Sequence, residues 1–199
     1  MLTIDKNGML IDKRIQSKRY PAIEHGKLAQ VRAVVVHQTD APTEQATFNG
    51  YGTGGNGAHF LIGKGGTIYQ TASVQAVCFH VGRNIKSKCL EVNKGACADL
   101  AAVKLLTLKW SAQVSAIDAH ERAKAYPDRY PVNLEALGIE LVGKSVDAMT
   151  YEAVSAAQNT SLSWLLGELY TLFSLGKADV YRHPEVSYKN PGEAAGATW

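Results

Sequence analysis

The sequence lacks a long uninterrupted run of hydrophobic residues. Its most apolar stretch, residues 162–175, is broken by Ser163, Glu168 and Thr171, and it falls short of the roughly 18 residues that a membrane-spanning helix requires. Residues 1–19 are interrupted by charged side chains and contain no apolar block of the kind found in secretory signals. We therefore predict no membrane insertion, and synthesis in the cytoplasm without a signal peptide.

A strong excess of charge of one sign is also missing. The chain has 21 Lys and Arg against 18 Asp and Glu, a formal net charge of +3. This balance is too mild to indicate a nucleic-acid partner, although it suits a polymer that carries free carboxylates. With 199 residues, of which 46% are hydrophobic, the chain can bury a substantial core, and we predict a single domain over residues 1–199.

Cysteine is scarce, and its pattern excludes a structural zinc ribbon. The three cysteines are odd in number and include no paired CxxC motifs. Cys89 and Cys97 share a polar loop and are close enough in sequence to form a disulfide in an oxidising compartment, but two free thiols would show the same pattern. Cys78 follows apolar residues, and we expect it to be a small buried hydrophobe.

Several segments have the composition of β-strands. Residues 31–37 form a β-branched run that ends at His37, which is typical of a buried central strand. Residues 58–62 and 67–71 flank a Gly-rich turn and predict a hairpin, and a further strand is predicted over 137–143. Because a hairpin is antiparallel, the sheet is expected to be mixed.

Two helices are predicted to flank this sheet, which gives an α/β fold with a central mixed β-sheet. One begins near Asp99, with an apolar stripe formed by Val103, Leu106, Trp110, Val114 and Ile117. The other covers about residues 150–175 and ends at Gly176. The Gly-rich residues 48–57 lack the spacing of a phosphate-binding loop, and we expect them to form a mobile rim.

Two histidines that are distant in sequence are candidates for one metal site. His37 ends the apolar strand, and His183 lies in a Pro-flanked segment rich in ionisable residues. Two imidazoles and one anionic ligand, with a fourth position left for water, form the arrangement of catalytic zinc sites. Glu140 lies inside a predicted strand, where a carboxylate is unexpected unless it is paired or catalytic; the alternative is a strand-edge side chain that faces solvent.

Five short segments in order carry a family resemblance: residues 34–37, 58–70, 78–82, 137–140 and 183–192. Together they resemble the zinc-dependent N-acetylmuramoyl-L-alanine amidases. This family includes phage lysozyme-type amidases, bacterial anhydro-muropeptide amidases and peptidoglycan recognition proteins. The resemblance begins near residue 30. It implies a single amidase domain with an N-terminal extension over residues 1–30 and a helical insertion over residues 84–133.

The resemblance implies a Zn²⁺ cofactor with His37 and His183 as the first two ligands. Family members place Cys or Asp immediately before a Pro-Gly pair, and Asn190 occupies that position here. Asn is neutral and a poor zinc ligand, whereas Glu193, ten residues after His183, has a negative charge. We therefore predict Glu193 as the third ligand, with Asn190 as the second choice and a damaged site as the third.

The same resemblance suggests which residues carry out catalysis. Some relatives use a Tyr just before the hairpin histidine, but this chain has Ala58 there and offers Glu140 instead, as the anhydro-muropeptide amidases do. Glu140 is thus the candidate general base. Lys189 matches the family lysine that stabilises the developing oxyanion, and its alternative is an ordinary solvated lysine.

Other residues are candidates for contact with the substrate. His59 and His80 match positions that line the family's cleft, and we assign them to substrate contact or to support of the site. Tyr69 is a candidate for stacking on sugar or peptide, although core packing is equally compatible with its position. His25 and His120 lie outside every motif and are expected to have no role.

The predicted activity is hydrolysis of the amide between N-acetylmuramic acid and L-alanine in peptidoglycan, by a monomer. The unusual Asn190 leaves a non-catalytic peptidoglycan-binding module as an alternative, and a zinc hydrolase of another peptide as a second one. A disulfide between Cys89 and Cys97 would favour action in a periplasm. A type VI secretion effector is then favoured over a phage endolysin or a recycling enzyme, and the insertion would form a lid or a surface for a cognate immunity or inhibitor protein.

Overall fold

The computed structural model describes residues 2–93 and 95–199. The strands in this part of the chain are β1 (Thr3–Ile4), β2 (Leu10–Ile11), β3 (Ile15–Ser17), β4 (Ala33–Gln38), β5 (Phe60–Ile62), β6 (Ile68–Gln70), β7 (Ala136–Leu141) and β8 (Val180–Arg182). The α-helices are α1 (Glu44–Gly52), α2 (Lys88–Asn93), α3 (Leu100–Leu105), α4 (Trp110–Arg122), α5 (Ala156–Phe173) and α6 (His183–Val186). No helix among these residues combines the length and apolar character needed to cross a bilayer.

Six strands form the central sheet in the order β3-β6-β5-β7-β4-β8. Only the β5–β6 hairpin pairs antiparallel, and the other neighbours are parallel. The predicted mixed sheet is therefore confirmed, as is the α/β class. The N-terminal residues also contribute to it, because β3 pairs with β6 and forms one edge.

The buried strands β4 and β7 place two functional candidates side by side. Their parallel register pairs His37 with Glu140. Val34 and Val36 point to the core that packs on α5, whereas Val35 belongs to a second core on the other face. Because side chains alternate along a strand, His37 and Glu140 both project on the face away from α5, near the carboxyl ends of the two strands.

Helix α5 is shorter than the sequence predicted. It begins after Ser155, whose hydroxyl accepts a hydrogen bond from the Gln158 amide while the Gln158 side chain accepts one from the Ser155 amide, a reciprocal cap. Its end is at Ser174, which has a left-handed backbone with φ of 56°, so Gly176 is not the residue that ends it. The expected boundaries, 150 and 175, were therefore wrong at the start by about one and a half turns.

The predicted single helix beginning near Asp99 is wrong, because the structure has two helices, α3 and α4, in that region. Asp99 does cap α3, and its carboxylate accepts from the Ala102 amide. The chain turns after Leu106, so the predicted apolar stripe is not continuous: Val114 and Ile117 are buried, whereas Trp110 is 63% exposed. A disulfide joins Cys89 to Cys97 beside these helices, and Cys78 is free and buried, as expected.

Half of the Gly-rich segment is helical, where we expected a loop. Residues 48–52 form the second half of α1, which begins after Thr43, whose hydroxyl accepts from the Ala46 amide. Phe48 and Tyr51 on this helix are buried against the core. The sequence did not indicate this helix, because its glycines are typical of loops, its apolar residues are few, and its cap lies several residues upstream.

Candidate functional site

A cavity of about 830 Å³ opens where β4 and β7 end. The candidate residues that line it are His37, His80, Glu140, His183, Lys189, Asn190 and Glu193. They come from five parts of the chain: the strands β4 and β7, the loop that follows the hairpin, the short helix α6 and the C-terminal loop. A cleft at the carboxyl ends of parallel strands is the usual location for a binding site in an α/β protein.

His37, His183 and Glu193 converge within this cavity. The Glu193 Oε1 atom lies 2.8 Å from His183 Nδ1 and 3.4 Å from His37 Nδ1. All three residues are buried, and one ligand atom from each lies within 4.8 Å of the other two. The structure therefore brings together two imidazoles separated by most of the chain, and it places Glu193 between them.

The ring of His183 is oriented by backbone. Its Nε2 atom lies 3.1 Å from the carbonyl oxygen of Val81, which also accepts a hydrogen bond from the Ser187 hydroxyl. A carbonyl oxygen only accepts, so His183 Nε2 carries the hydrogen and donates it. In the neutral ring, Nδ1 is then left with a lone pair directed at Glu193.

His80 has the same effect on His37. The Nε2–H of His80 donates to the carbonyl of Ala136 at 3.1 Å, so its Nδ1 is an acceptor. That Nδ1 accepts from His37 Nε2 at 3.1 Å. His37 Nδ1 is consequently the unprotonated atom, and it faces Glu193.

The charges of this cluster follow from its burial. Burial, and then the nearby His183, lowers the pKa of His37 to about 4, so its ring is neutral near pH 7. Burial raises the pKa of Glu193, but the adjacent imidazoles of His183 and His37 lower it more, to a value of about 2. One carboxylate oxygen and two imidazole lone pairs thus converge on one point, and this set of donor atoms fits Zn²⁺.

Glu140 lies beside this cluster but makes no bond to it. Its Oε2 atom is buried and has no hydrogen-bond partner within residues 2–93 and 95–199. Burial, and then the charge of Glu193, raises the pKa of Glu140 to about 8, while Lys189 opposes the rise. A carboxyl group with this pKa can accept and release a proton near neutral pH.

Lys189 and Asn190 are neighbours with different surroundings. Lys189 is exposed on the cavity wall, and its ammonium makes no ion pair with any residue that the structure describes. The Asn190 amide donates to the carbonyl of Asp147 at 2.8 Å, and its Oδ1 accepts from the Gly192 amide at 2.9 Å. Asn190 is thus held by Asp147 and by its own loop, whereas Glu193 faces the imidazoles.

Two predicted substrate contacts do not agree with the structure. His59 is fully buried: its Nδ1 accepts from the Gly138 amide, and its Nε2 donates to the Ala76 carbonyl. It therefore has no surface for a substrate and instead connects the hairpin to neighbouring segments. Tyr69 packs edge-on against Phe48 at 5.1 Å and does not line the cavity, so packing is its observed role.

The sequence motifs did not indicate every residue that lines the cavity. Tyr51 lines the cavity from α1, inside the segment that we expected to be a loop. Phe79 also lines it, and its ring stacks on His25 at 3.9 Å, so His25 does make a specific contact. The apolar periodicity of α1 was too weak to indicate a helix, so Tyr51 was not recognised. Phe79 is next to His80 in sequence, but only the structure shows that its ring is exposed.

Comparison with known proteins gives one family. A family model described as N-acetylmuramoyl-L-alanine amidase matches residues 27–194. No curated protein sequence matches the chain.

Solved structures share the fold at low sequence identity. A selenomethionine derivative of AmpD matches with a TM-score of 0.60 and 17% identity, over 99% of this chain and 95% of that chain. AmpDH3 from Pseudomonas aeruginosa matches with a TM-score of 0.52 and 18% identity, over 94% and 58%, and it has also been solved with an anhydromuramic pentapeptide. A mutant endolysin from Bacillus subtilis matches with a TM-score of 0.50 and 17% identity, over 85% and 82%.

The family match covers most of the chain and includes every residue of the cluster described above. It confirms the resemblance that the five sequence segments indicated. The chain therefore belongs to the N-acetylmuramoyl-L-alanine amidase family, and it is a hydrolase that acts on peptidoglycan.

Proposed function

We propose that this enzyme is a zinc-dependent amidase that hydrolyses the bond between the lactyl group of N-acetylmuramic acid and L-alanine of the stem peptide. The observation that carries the proposal is the convergence of His37 Nδ1, His183 Nδ1 and Glu193 Oε1 on one point. Three buried acceptor atoms repel one another unless a cation or a proton lies between them, and the carboxylate with two imidazoles is a ligand set of catalytic zinc.

These residues have separate roles in the proposed reaction. When bound, Zn²⁺ supplies Lewis acidity, which polarises a carbonyl and acidifies water. Glu140 takes a proton from the attacking water and passes it to the leaving amine, because its raised pKa lets it hold the proton between the two steps. The Lys189 ammonium, free on the cavity wall, stabilises the negative charge that develops on the carbonyl oxygen.

Two observations favour this activity over a peptidoglycan-binding module and over a zinc hydrolase of another peptide. Asn190 favoured a binding module because the family's usual third ligand is missing there, but Glu193 offers a carboxylate in the site. The AmpDH3 complex with an anhydromuramic pentapeptide supports a muropeptide as the ligand class. The second alternative, a zinc hydrolase of another peptide, would act on ligands that lack the muramic acid of this class.

The test uses purified sacculi and a defined muramoyl peptide. The wild-type enzyme loaded with zinc should release free stem peptides that begin with L-alanine, and chelation should abolish the release. His37→Ala should neither hold zinc nor cleave. Binding to sacculi without release of peptide would instead identify a recognition module, and cleavage of unrelated peptides alone would identify another amide hydrolase.

For the biological role, we propose a secreted antibacterial effector of the type VI kind that acts as a monomer in the periplasm. The Cys89–Cys97 disulfide supports an oxidising site of action. The exposed Leu100, Leu106 and Trp110 of the insertion offer a surface for a cognate immunity protein. Expression with an added export signal should lyse a Gram-negative host, and expression without it should not. Lysis that requires only a co-expressed holin would favour an endolysin.

A further inference from the structure

Two residues that line the cavity each have a buried side-chain oxygen without a partner. One is Glu140 Oε2, and the other is the hydroxyl of Tyr51; neither has a hydrogen bond to the residues that the structure describes. A buried polar atom without a partner costs free energy, so each such atom in a native protein calls for an explanation. Their location in the same cavity suggests a common one.

The Tyr51 ring is held in a fixed position. It packs with Ile23, Ala72 and Cys78, and its edge meets the ring of Tyr20 at 5.9 Å between centroids. The residue is 6% exposed, so the phenol has little freedom to turn towards solvent. A donor that is fixed before the substrate arrives costs no reorganisation during the reaction.

The hydroxyl of Tyr51 retains its proton at all ordinary pH values. Burial, and then the charge of Glu140, raises its pKa well above the usual value. The backbone amide of Ala58 opposes the rise, although no hydrogen bond joins it to the phenol oxygen. The phenol is therefore a neutral hydrogen-bond donor that lacks an acceptor.

We propose that Tyr51 is a further catalytic residue, whose O–H donates to the carbonyl oxygen of the substrate amide while Glu140 faces the nitrogen side of the same group. An amide offers an acceptor next to a donor, and this pair of functions complements a phenol O–H and a carboxylate. The inference rests on the proposed function, because it assigns both atoms to the bond that is cleaved.

The test replaces Tyr51 by Phe, which removes only the hydroxyl and keeps the packed ring. In the muramoyl peptide assay, Tyr51→Phe should lower kcat about a hundredfold with little change in KM, because the bond strengthens as charge develops on the oxygen. Zinc content and the thermal midpoint should remain at the wild-type level. The matched control is Tyr170→Phe, which also removes a buried unpartnered hydroxyl, but from α5 and outside the cavity.

A binding measurement separates this inference from the proposed function. In a Glu140→Gln background, calorimetry with the intact muramoyl peptide should show about fivefold weaker binding when Tyr51→Phe is added. If the wild type does not cleave but the Tyr51→Phe change still weakens binding, the proposed function fails and the contact stands. If the change leaves both kcat and affinity unaltered, or acts no differently from Tyr170→Phe, the inference is wrong.

Discussion

His37 donates a hydrogen bond from its Nε2 to the Nδ1 of His80, across 3.1 Å. This bond fixes which nitrogen of His37 faces Glu193, and it depends in turn on the bond between His80 and the backbone of β7. A ligand's hydrogen-bond partner determines its tautomer and orientation, so His80 would support the proposed metal site without facing the metal position itself.

Gly138 is expected to be necessary for this arrangement. A Cβ atom built on Gly138 would lie 2.8 Å from His80 Cγ, so Gly138→Ala should push the ring away from His37. Zinc affinity should then fall about 10- to 100-fold, the usual effect of losing a partner of a ligand. The control is Gly167→Ala in α5, where a Cβ meets nothing within 4 Å; it should retain zinc and gain up to about 1 kcal/mol in stability. Equal zinc affinities would show that the His80 contact is dispensable.

Glu140→Gln should separate catalysis from metal binding. The variant keeps the shape of the side chain but cannot transfer the proton, so turnover should fall about 10²- to 10⁴-fold. Zinc stoichiometry should stay at one per chain, because Glu140 is not part of the His37, His183 and Glu193 cluster. Metal content by emission spectrometry and peptide release on the same samples provide the measurement. A variant that loses zinc together with activity would place Glu140 among the ligands.

Glu193 and Asn190 should differ in their effect on zinc. Glu193→Gln removes the charge that faces the two imidazoles, and we expect zinc affinity to fall by about a hundredfold or more, beyond the effect of losing a partner of a ligand. Asn190→Ala removes contacts with Asp147 and Gly192 that lie outside the cluster, and it should leave the affinity close to that of the wild type. Competition with a chromogenic chelator measures both. The reverse order of the two affinities would restore Asn190 as the third ligand.

The predicted insertion, residues 84–133, is expected to lose stability in acid through Asp99. Its carboxylate accepts from Lys124 at 2.6 Å and His120 at 2.7 Å, and these contacts, that of Lys124 first, hold its pKa well below the usual range. A depressed folded-state pKa stabilises the fold above the unfolded-state value of about 3.9, and this contribution disappears as the pH falls further. Asp99→Asn keeps a good helix cap but loses the charge.

The wild type should therefore unfold at a higher urea concentration than Asp99→Asn at pH 7, and the difference should shrink below about pH 4. Urea titrations at several pH values, followed by circular dichroism, measure it. A difference that stays constant down to pH 2 would show that ionisation of the carboxylate is not its source.

The strands of this protein were predictable because their signals are local. The β-branched run that ends at His37 and the Gly turn of the hairpin identify β4, β5 and β6 from composition alone. The register that places His37 opposite Glu140 was not predictable, since it depends on which strands become neighbours. The sequence also did not show that β3, from the N-terminal residues, completes one edge of the sheet.

The part of the candidate site that was predictable is the set of metal-ligand candidates, because only a few residue types can bind a metal. His37, His183 and Glu193 were expected together, and the structure places them together. His59 illustrates the limit, because a histidine beside a cleft motif can be buried with both nitrogens bonded to backbone. Tyr51 is the opposite case, a residue that lines the cavity but was not predicted to do so. Its helix, α1, has few apolar residues and therefore resembles a loop in sequence.

The most direct test of the account is anomalous diffraction at the zinc edge from crystals of the zinc-loaded protein. The account predicts one strong peak about 2.0–2.2 Å from His37 Nδ1, His183 Nδ1 and a carboxylate oxygen of Glu193. A peak that is bound by Asn190 instead, or that lies away from these three residues, would contradict it.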